Sequence, residues 1–380
     1  MLRFKFLLLP TLLLLFPCLL IGQPLKRGIF ITFDQDDFPN SFEGHTWAFM
    51  QAASEDLGLQ VKLYKINGNR FSFLTHVEQE LNKAEKLDFV VIGAMSAEAA
   101  LPILERLEAA KVQSYFFNSA IRKDEQAAIG KPRGKFSQWL GHMIPDDEEA
   151  GYRLAQTLIS RAKAKGLTGK NGTLSIIAHT GDRLSSPSRL RAQGLKRALK
   201  EHPECKLEQL MWSSWKQELT YQRTLDLAER YPDIQIVWTA SAQMAIGAIK
   251  GLAKVGLKPG QQVLVGGMDF EAKALEEIHK GRLEVVLGGH FMEGGWVMVL
   301  LADYYRGQDF ADLGVERLTP LYSLTKDNLE QVRPFLEPQT WSGIDFNQFT
   351  RSNHTKGNDY RFGLEGVTKA YSKNPPQTGR

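Results

Sequence analysis

The sequence predicts an α/β protein of two doubly wound, parallel-sheet lobes that are joined by a multi-strand hinge. Short apolar runs that stop at turn residues alternate with segments of helical period, which is the pattern of β-α units on a parallel sheet. The alternation is clearest over residues 234–307, and it occurs in two blocks of the chain. Without its first 22 residues the chain has about 358, which suits two domains.

The first block has the elements of one doubly wound lobe, because four strands alternate with helices. Ser41 can cap the first helix, and Gly58 follows the last residue of that helix. The predicted strands are residues 28–33, 59–64, 87–92 and 114–117, and the predicted helices are residues 42–57, 74–84 and 97–110.

The second block repeats the pattern with four more strands. These are residues 173–178, 206–211, 234–238 and 262–267, and the helices are residues 145–165, 184–199, 216–230 and 242–253. A further helix, residues 291–305, is expected to return to the first lobe. Residues 318–322 can cross between the lobes once more.

The domain boundaries follow from these elements, with the first crossover placed near Trp139. The first lobe is then residues 24–139 and 290–311, and the second lobe is residues 140–289 and 312–330. Residues 331–380 form a C-terminal tail of weak periodicity. Trp341, Phe346 and Phe349 predict that the first part of this tail packs down, whereas residues 353–380 are expected to be looser.

The N-terminus has the pattern of a signal peptide. Arg3 and Lys5 precede a nearly unbroken apolar run over residues 6–21, which is short for a membrane-spanning helix. We therefore expect residues 1–22 to be removed on export to the periplasm. An uncleaved membrane anchor is the alternative.

Charge and cysteine content exclude several classes of protein. The formal net charge is +4, and the charges are well mixed, so no nucleic-acid partner is implied. Beyond the signal peptide only Cys205 remains, which excludes an internal disulfide and a cysteine-rich structural zinc site. We expect no metal and no cofactor. An exported protein without disulfides suits the bacterial periplasm.

Several motifs of the second block resemble those of a known family. They are WTASAQMAIGA at residues 238–248, KVGLKPG at 254–260, VGGMD at 265–269, GRL at 281–283 and DYYRG at 303–307. In this order they resemble the second lobe of type I periplasmic binding proteins, the ribose-binding and autoinducer-receptor superfamily. The resemblance extends back to about residue 28.

The resemblance implies a non-catalytic monomer that closes around a small, polar, sugar-like ligand. The receptor would present this ligand to an inner-membrane ABC permease. Alternatively, it would report the ligand to a membrane sensor kinase or a cyclic-nucleotide signalling enzyme.

In the first lobe the resemblance places ligand contacts at Phe42 and Asn118. Phe42 would stack on the ligand, or else cover its own helix. Asn118 follows a strand, and its amide can donate to and accept from a hydroxyl, or else bond within a turn. The residue after the stacking ring is usually aromatic in this family, but here it is Glu43.

In the second lobe it places them at Arg189, Trp215 and Asp269. The first arginine of the pair, Arg189 and not Arg191, would offer a fork of donors to ring oxygens. Trp215 would stack on the sugar, while Trp212 is the better candidate for the core. Asp269 would accept two hydroxyl bonds, or cap the next helix.

Ser241 and His290 complete the predicted site. His290 either bonds the ligand or belongs to a hinge with the paired glycines before it. Ser241 and Ala242 stand where sugar-binding members usually carry an Asn-Asp pair, so at least one sugar bond is lost or replaced. Gln243 or the acidic loop at residues 34–37 can compensate.

The sequence partly matches the first motif of one class of enzyme. Asp34 and its acidic neighbours follow an apolar strand, as the nucleophile does in haloacid-dehalogenase-type phosphatases. Asp37 stands where that family has Thr or Val, and its later motifs are missing. A phosphatase that uses Asp34 therefore stays a remote alternative.

Overall fold

The chain folds into two α/β lobes, as the sequence predicts. A computed structural model describes residues 25–67, 72–93, 97–121, 123–169, 172–337, 341–353 and 359–373. The predicted signal peptide lies outside the described residues, as does the end of the tail, residues 374–380.

Six parallel strands form the sheet of the first lobe. They are β1 (Lys26–Phe33), β2 (Leu59–Ile66), β3 (Phe89–Gly93), β4 (Gln113–Phe117), β5 (Trp139–Pro145) and β11 (Glu316–Thr319), in the spatial order β11-β5-β4-β3-β1-β2. Successive side chains of a strand point to opposite faces. Ile29 and Ile31 therefore pack in one apolar cluster and Phe30 in another, so that helices cover both faces.

The helices of the first lobe begin and end close to the predicted residues. They are α1 (Phe42–Leu57), α2 (Ser72–Leu81), α3 (Ala97–Ala110), α4 (Lys123–Ile129) and the returning helix α10 (Glu293–Tyr305). The hydroxyl of Ser41 accepts the expected capping bond from the N–H of Gly44 at 3.1 Å. Gly58 ends α1 with a left-handed φ of 71°. Helix α10 packs against α1, which confirms its return to the first lobe.

The second lobe repeats this architecture. Its strands are β6 (Leu174–Thr180), β7 (Cys205–Trp212), β8 (Ile236–Thr239), β9 (Leu264–Met268), β10 (Val285–Gly288) and β12 (Tyr322–Leu324), in the order β12-β10-β9-β8-β6-β7. Only β12 is antiparallel to its neighbour among these strands. Its helices are α5 (Asp147–Ala164), α6 (Ser186–Glu201), α7 (Gln217–Arg230), α8 (Ala242–Lys254) and α9 (Ala272–His279).

Two glycines bring α5 and α6 into backbone contact. A Cβ added to Gly151 would lie 2.0 Å from the carbonyl oxygen of Arg191. A Cβ added to Gly194 would lie 2.0 Å from the carbonyl oxygen of Glu148. The absence of these side chains therefore fixes where α6 lies, and with it the position of Arg191.

The chain passes between the lobes three times, at Asp146, at residues 289–292 and at residues 320–321. The first crossover thus lies later than the predicted position at Trp139, because β5 pairs with β4 and β11 of the first sheet over its whole length. Residues 316–319 belong to the first lobe and not to the second, because β11 pairs with β5. Glu316 and Leu318 of this edge strand are exposed, so it shows no apolar run.

The tail packs on both lobes. Helix α11 (Leu329–Leu336) contacts α9 of the second lobe, and α12 (Leu364–Lys373) packs on α11. The rings of Trp341 and Phe346 lie 5.4 and 5.2 Å from the ring of Phe49 in α1. The prediction that residues 353–380 are looser is wrong for the part that the structure describes, because Phe362 stacks on Trp296 at 4.7 Å.

We expect Trp341→Ala to lower the free energy of unfolding by about 3–5 kcal/mol, as truncation of a buried aromatic ring does. Trp341 is buried, and its indole N–H donates to the carbonyl oxygen of Phe335 at 3.0 Å. Urea unfolding of the mature protein measures the change. Val255→Ala, at an exposed apolar residue far from the tail, is the control and should change it by less than about 0.5 kcal/mol. Equal stability of the Trp341 variant and the parent would contradict the docking of the tail.

Candidate functional site

Three of the predicted site residues share an unusual backbone conformation. Asn118, Trp215 and Asp269 have φ angles of 67°, 62° and 79°, in the left-handed region. Asn and Asp are tolerated there, but a tryptophan is a true outlier. Such strain costs about 1–3 kcal/mol and collects at functional sites. The three residues lie in the loops that follow β4, β7 and β9.

Asp269 ends β9 and is only 7% exposed. Its Oδ1 lies 3.3 Å from Nε2 of His290, and its carboxylate accepts a hydrogen bond from the N–H of Ala242. Burial alone would raise the pKa of Asp269. The bond to His290, the charge of Arg191 and the N–H of Ala242 outweigh burial, so the pKa lies below its usual value. Asp269 is thus a buried carboxylate.

Arg191 is the central cation of the site and is 3% exposed. Its Nε donates to Oδ1 of Asp147 at 2.7 Å, and its Nη1 donates to the carbonyl oxygen of Ala240 at 2.7 Å. Its Nη2 lies 3.2 Å from Nε2 of His290. Burial raises the pKa of Asp147, and the adjacent guanidinium opposes that rise. One guanidinium therefore ties together the start of α5, the end of β8 and the second crossover.

The structure does not bring Arg189 into this cluster. Arg189 is half-exposed, and Arg191 stands where the sequence analysis expected the first arginine of the pair. Arg189 and Arg191 are two positions apart in α6, and residues at that spacing lie about 200° apart around a helix axis. Only one of the two arginines can therefore face inward. Helical period identifies that face, because Ser188, Ala192 and Leu195 of the same helix are also buried.

His290 links the two lobes. Its ring stacks on the ring of Phe42, with centroids 4.6 Å apart and planes 27° apart. Its Nε2 can donate to Asp269 or accept from Arg191, but it cannot do both at once. Its Nδ1 has no hydrogen-bond partner among the residues that the structure describes. Phe42, expected to stack on a ligand, thus packs on a hinge residue here.

Trp215 lies beside Arg191 and against the backbone of Gly181. A Cβ at Gly181 would lie 1.9 Å from the indole, so only glycine admits this ring. Cζ of Arg191 is 5.9 Å from the ring centroid. Trp212, expected in the core, is half-exposed because it ends an edge strand. Cζ of Arg183 lies 5.5 Å from the centroid of its ring.

Asn118 brings the first lobe to the same cleft. It follows β4 and is 7% exposed, and its Nδ2 has no partner within the described part of the chain. Two residues later the N–H of Ala120 donates to Oγ of Ser186 in the second lobe at 2.9 Å. Lys273 of α9 and Asp37 of the acidic loop also pair between the lobes, at 3.3 Å. The lobes are therefore closed on each other.

Ser241 is the N-cap of α8. Its hydroxyl accepts from the N–H of Met244 at 3.3 Å, and the residue is buried. The hydroxyl therefore has a structural partner, while its role toward a ligand stays a prediction.

Three acidic residues of the cleft are absent from the predicted contacts. Burial raises the pKa of Glu43 to about 7, and the charge of Asp269 adds to this rise. Burial also raises the pKa of Glu271 well above its usual value, with Asp269 again adding. Gln243 donates to Glu271, so the amide named as a compensating group faces this acid. The change from the usual aromatic residue to Glu43 was the one sequence signal for this cluster.

Glu293, the first residue of α10, is the third of these acids and is 1% exposed. Burial raises its pKa well above the usual value, which favours the neutral carboxyl form. The hydroxyl of Thr319 donates to Oε1, and Oε2 has no partner among the described residues. A neutral carboxyl group can donate a hydrogen bond, which a carboxylate cannot.

Asp34, the nucleophile of the phosphatase alternative, lies at the edge of the cleft. Its Oδ1 pairs with Nζ of Lys65 at 2.9 Å, and that bond lowers the pKa of Asp34.

Among the described residues no group of three His, Cys, Asp or Glu side chains could hold a metal ion. In the same part of the chain no helix has the length and apolar character to span a membrane.

Comparisons with known proteins agree with this architecture. The family model described as periplasmic binding protein domain matches residues 31–309. A periplasmic sugar-binding protein from Pseudomonas fluorescens is 29% identical, with a TM-score of 0.80 over 90% of this chain and 99% of its own. A comparison with curated proteins found no match.

Two more distant structures share the fold. A solute-binding protein of an ABC transporter from Actinobacillus succinogenes, with bound D-allose, is 17% identical, with a TM-score of 0.69 over 80% of this chain and 99% of its own. The binding protein of the arabinose ABC transporter from Shewanella sp. ANA-3, bound to L-arabinofuranose, is 16% identical, with a TM-score of 0.68 over 87% and 99%. The family match and the two lobes agree, and the chain belongs to the type I periplasmic binding protein family.

Proposed function

We propose that this protein binds a small sugar-like polyol in the cleft between its lobes and presents it to an inner-membrane ABC transporter. The observation that carries the proposal is a set of buried polar atoms without partners among the described residues. They come from the first lobe, the second crossover and the start of α10: Nδ2 of Asn118, Nδ1 of His290 and Oε2 of Glu293. An unpaired buried polar atom costs about 1–3 kcal/mol, and ligand hydroxyls would remove that cost.

The cleft offers both kinds of contact that a sugar needs. Asp269 is a carboxylate that can accept from two hydroxyls, and the guanidinium of Arg191 lies within reach of the same space. The rings of Phe42 and Trp215 can cover the C–H faces of the sugar from the two lobes. Polar groups would therefore set orientation, and the rings would supply apolar area.

Closure follows from contacts that exist only when the lobes meet. The pair of Asp37 with Lys273 and the bond from Ala120 to Ser186 both join the lobes. A ligand held by Asn118 on one side and Asp269 on the other would favour this closed form, because it binds the open form less well. A transporter that recognises the closed surface would then receive only loaded protein.

Two similar structures are described as parts of ABC transporters, which supports transport rather than signalling as the role of this protein. We further propose that the mature protein acts as a monomer in the periplasm, after removal of residues 1–22. The non-catalytic role fits the pairing of Asp34 with Lys65, because a paired carboxylate is a weaker nucleophile.

Asp269→Asn should weaken sugar binding about 10- to 100-fold, because bonds to a charged acceptor contribute about 1.5–3 kcal/mol. Calorimetric titration with the sugar that stabilises the parent most measures this change. Arg189→Ala is the matched control, since Arg189 lies outside the cluster, and it should leave Kd within about twofold. The assignment of Asp269 as a sugar contact would be contradicted if Asp269→Asn bound sugar as tightly as the parent while Arg189→Ala lost sugar binding. Both variants must show the circular dichroism of the parent for this comparison.

Glu43→Gln should raise stability at about pH 8 and leave it unchanged at about pH 4. The folded pKa of Glu43 is about 7 against a usual 4.5, so the folded state holds the proton more tightly than the unfolded state. The stabilisation is therefore complete below the lower pKa and is lost as pH rises through the higher one. Thermal unfolding at both pH values measures the difference, with the exposed Glu55→Gln of the same helix as control. The same change at both pH values would show that Glu43 has an ordinary pKa.

A further inference from the structure

A second cavity lies at the hinge, next to the cleft between the lobes. Its volume is about 180 Å³, large enough for a molecule of the size of a benzene derivative. One wall comes from the second and third crossovers and a second wall from the tail. Its lining includes Glu293, Trp296, Arg317, Tyr322, Tyr360 and Phe362.

Arg317 brings an incompletely paired cation to this cavity. It lies on β11, and both its Nε and its Nη2 are buried without a hydrogen-bond partner among the residues that the structure describes. The guanidinium makes a cation–π contact with the ring of Tyr360, whose centroid lies 5.1 Å from Cζ. Buried guanidinium N–H groups normally have acceptors. Among the described residues these two donors have no acceptor, so a ligand can supply one.

Aromatic rings form part of the remaining lining. Phe362 stacks on Trp296 at 4.7 Å with the planes 11° apart, and Tyr360 stacks on Phe362 at 5.0 Å. Tyr322 of β12 lies close to Gly363, where a Cβ would be 2.9 Å from its hydroxyl. A ligand here would thus touch aromatic faces beside the guanidinium and the other polar groups of the lining.

The acidic groups near Arg317 do not satisfy it. Burial raises the pKa of Glu293 well above its usual value, which favours its neutral form. Asp359 borders the cavity but is exposed, so water and salt screen its charge. Arg317 therefore presents the less screened charge of the cavity, and that charge is positive.

We propose that this cavity is a second ligand site, for a small monocarboxylate with a planar, apolar body. The carboxylate would accept from the open N–H groups of Arg317, whose planar fork matches two carboxylate oxygens. The apolar body would lie between Tyr322 and the ring stack of the tail. Phosphate fits less well, because one guanidinium cannot balance its two charges within aromatic walls.

A ligand in this site would favour the closed lobes. The crossovers at residues 289–292 and 320–321 contribute to its walls, so a motion of the hinge would change the shape of the cavity. A molecule that fills the gap therefore binds the closed form better, and by linkage it strengthens the binding of a ligand in the cleft. This second effect rests on the proposed function, whereas the site itself does not.

Titration of the mature protein with benzoate, without sugar, tests the site. We expect benzoate to raise the melting temperature, and inorganic phosphate at the same concentration to raise it less. Arg317→Met should weaken benzoate binding at least about tenfold, because it keeps an unbranched apolar stem and removes the guanidinium donors and their charge. Arg361→Met is the matched control, since Arg361 is exposed next to Tyr360, and it should bind benzoate like the parent.

Equal benzoate binding by the Arg317 variant and the parent would overturn the proposal, as would no benzoate binding by the parent. A stable Arg317 variant that has lost benzoate but keeps its response to sugar would support it. Because the titration contains no sugar, its failure does not bear on sugar binding in the cleft, and a failure of sugars to bind leaves the benzoate result unaffected. The expected coupling is a lower Kd for sugar at saturating benzoate, and an unchanged Kd would overturn the effect on closure.

Discussion

The site depends on the burial of one charge, the guanidinium of Arg191. Removing one partner of a buried ion pair costs about 3–5 kcal/mol, so the surrounding elements must supply acceptors. Asp147 supplies one at the start of α5 and the carbonyl of Ala240 supplies another at the end of β8. His290 of the second crossover lies at the third corner. The same glycine contacts that bring α5 against α6 hold this arrangement in place.

Several acidic side chains surround this cation in the cleft, and their pKa values are shifted in different directions. Asp269 stays ionised, since His290, Arg191 and a main-chain N–H stabilise its charge. Burial raises the pKa values of Glu271 and Glu293 well above the usual range, which favours their neutral forms. A carboxylate acceptor therefore lies in the cleft beside groups that favour the carboxyl form, which can donate. That combination is one way to bind a polyol without the Asn-Asp pair that Ser241 and Ala242 replace.

The sequence predicted both sheets, most helix ends and the placement of Asn118, Trp215 and Asp269 after strands, because strand ends are readable from apolar runs that stop abruptly. The sequence was insufficient where pairing between distant segments decides the structure. The short edge strand β11 has no pattern of its own, and which of Arg189 and Arg191 is buried depends on the face that α6 turns toward α5. The packing of residues 359–373 needs partners, such as Trp296, that only the fold supplies.

Thermal unfolding of the mature protein against a panel of pentoses, hexoses, furanosyl sugars and polyols tests the central claim most directly. A sugar that fills the cleft, present at about 100 times its Kd, should stabilise the protein by about 2.7 kcal/mol and raise the melting temperature by several degrees. At least one member of the panel should do this for the parent. A melting temperature that no sugar or polyol changes would contradict the account of the cleft as a sugar-binding site.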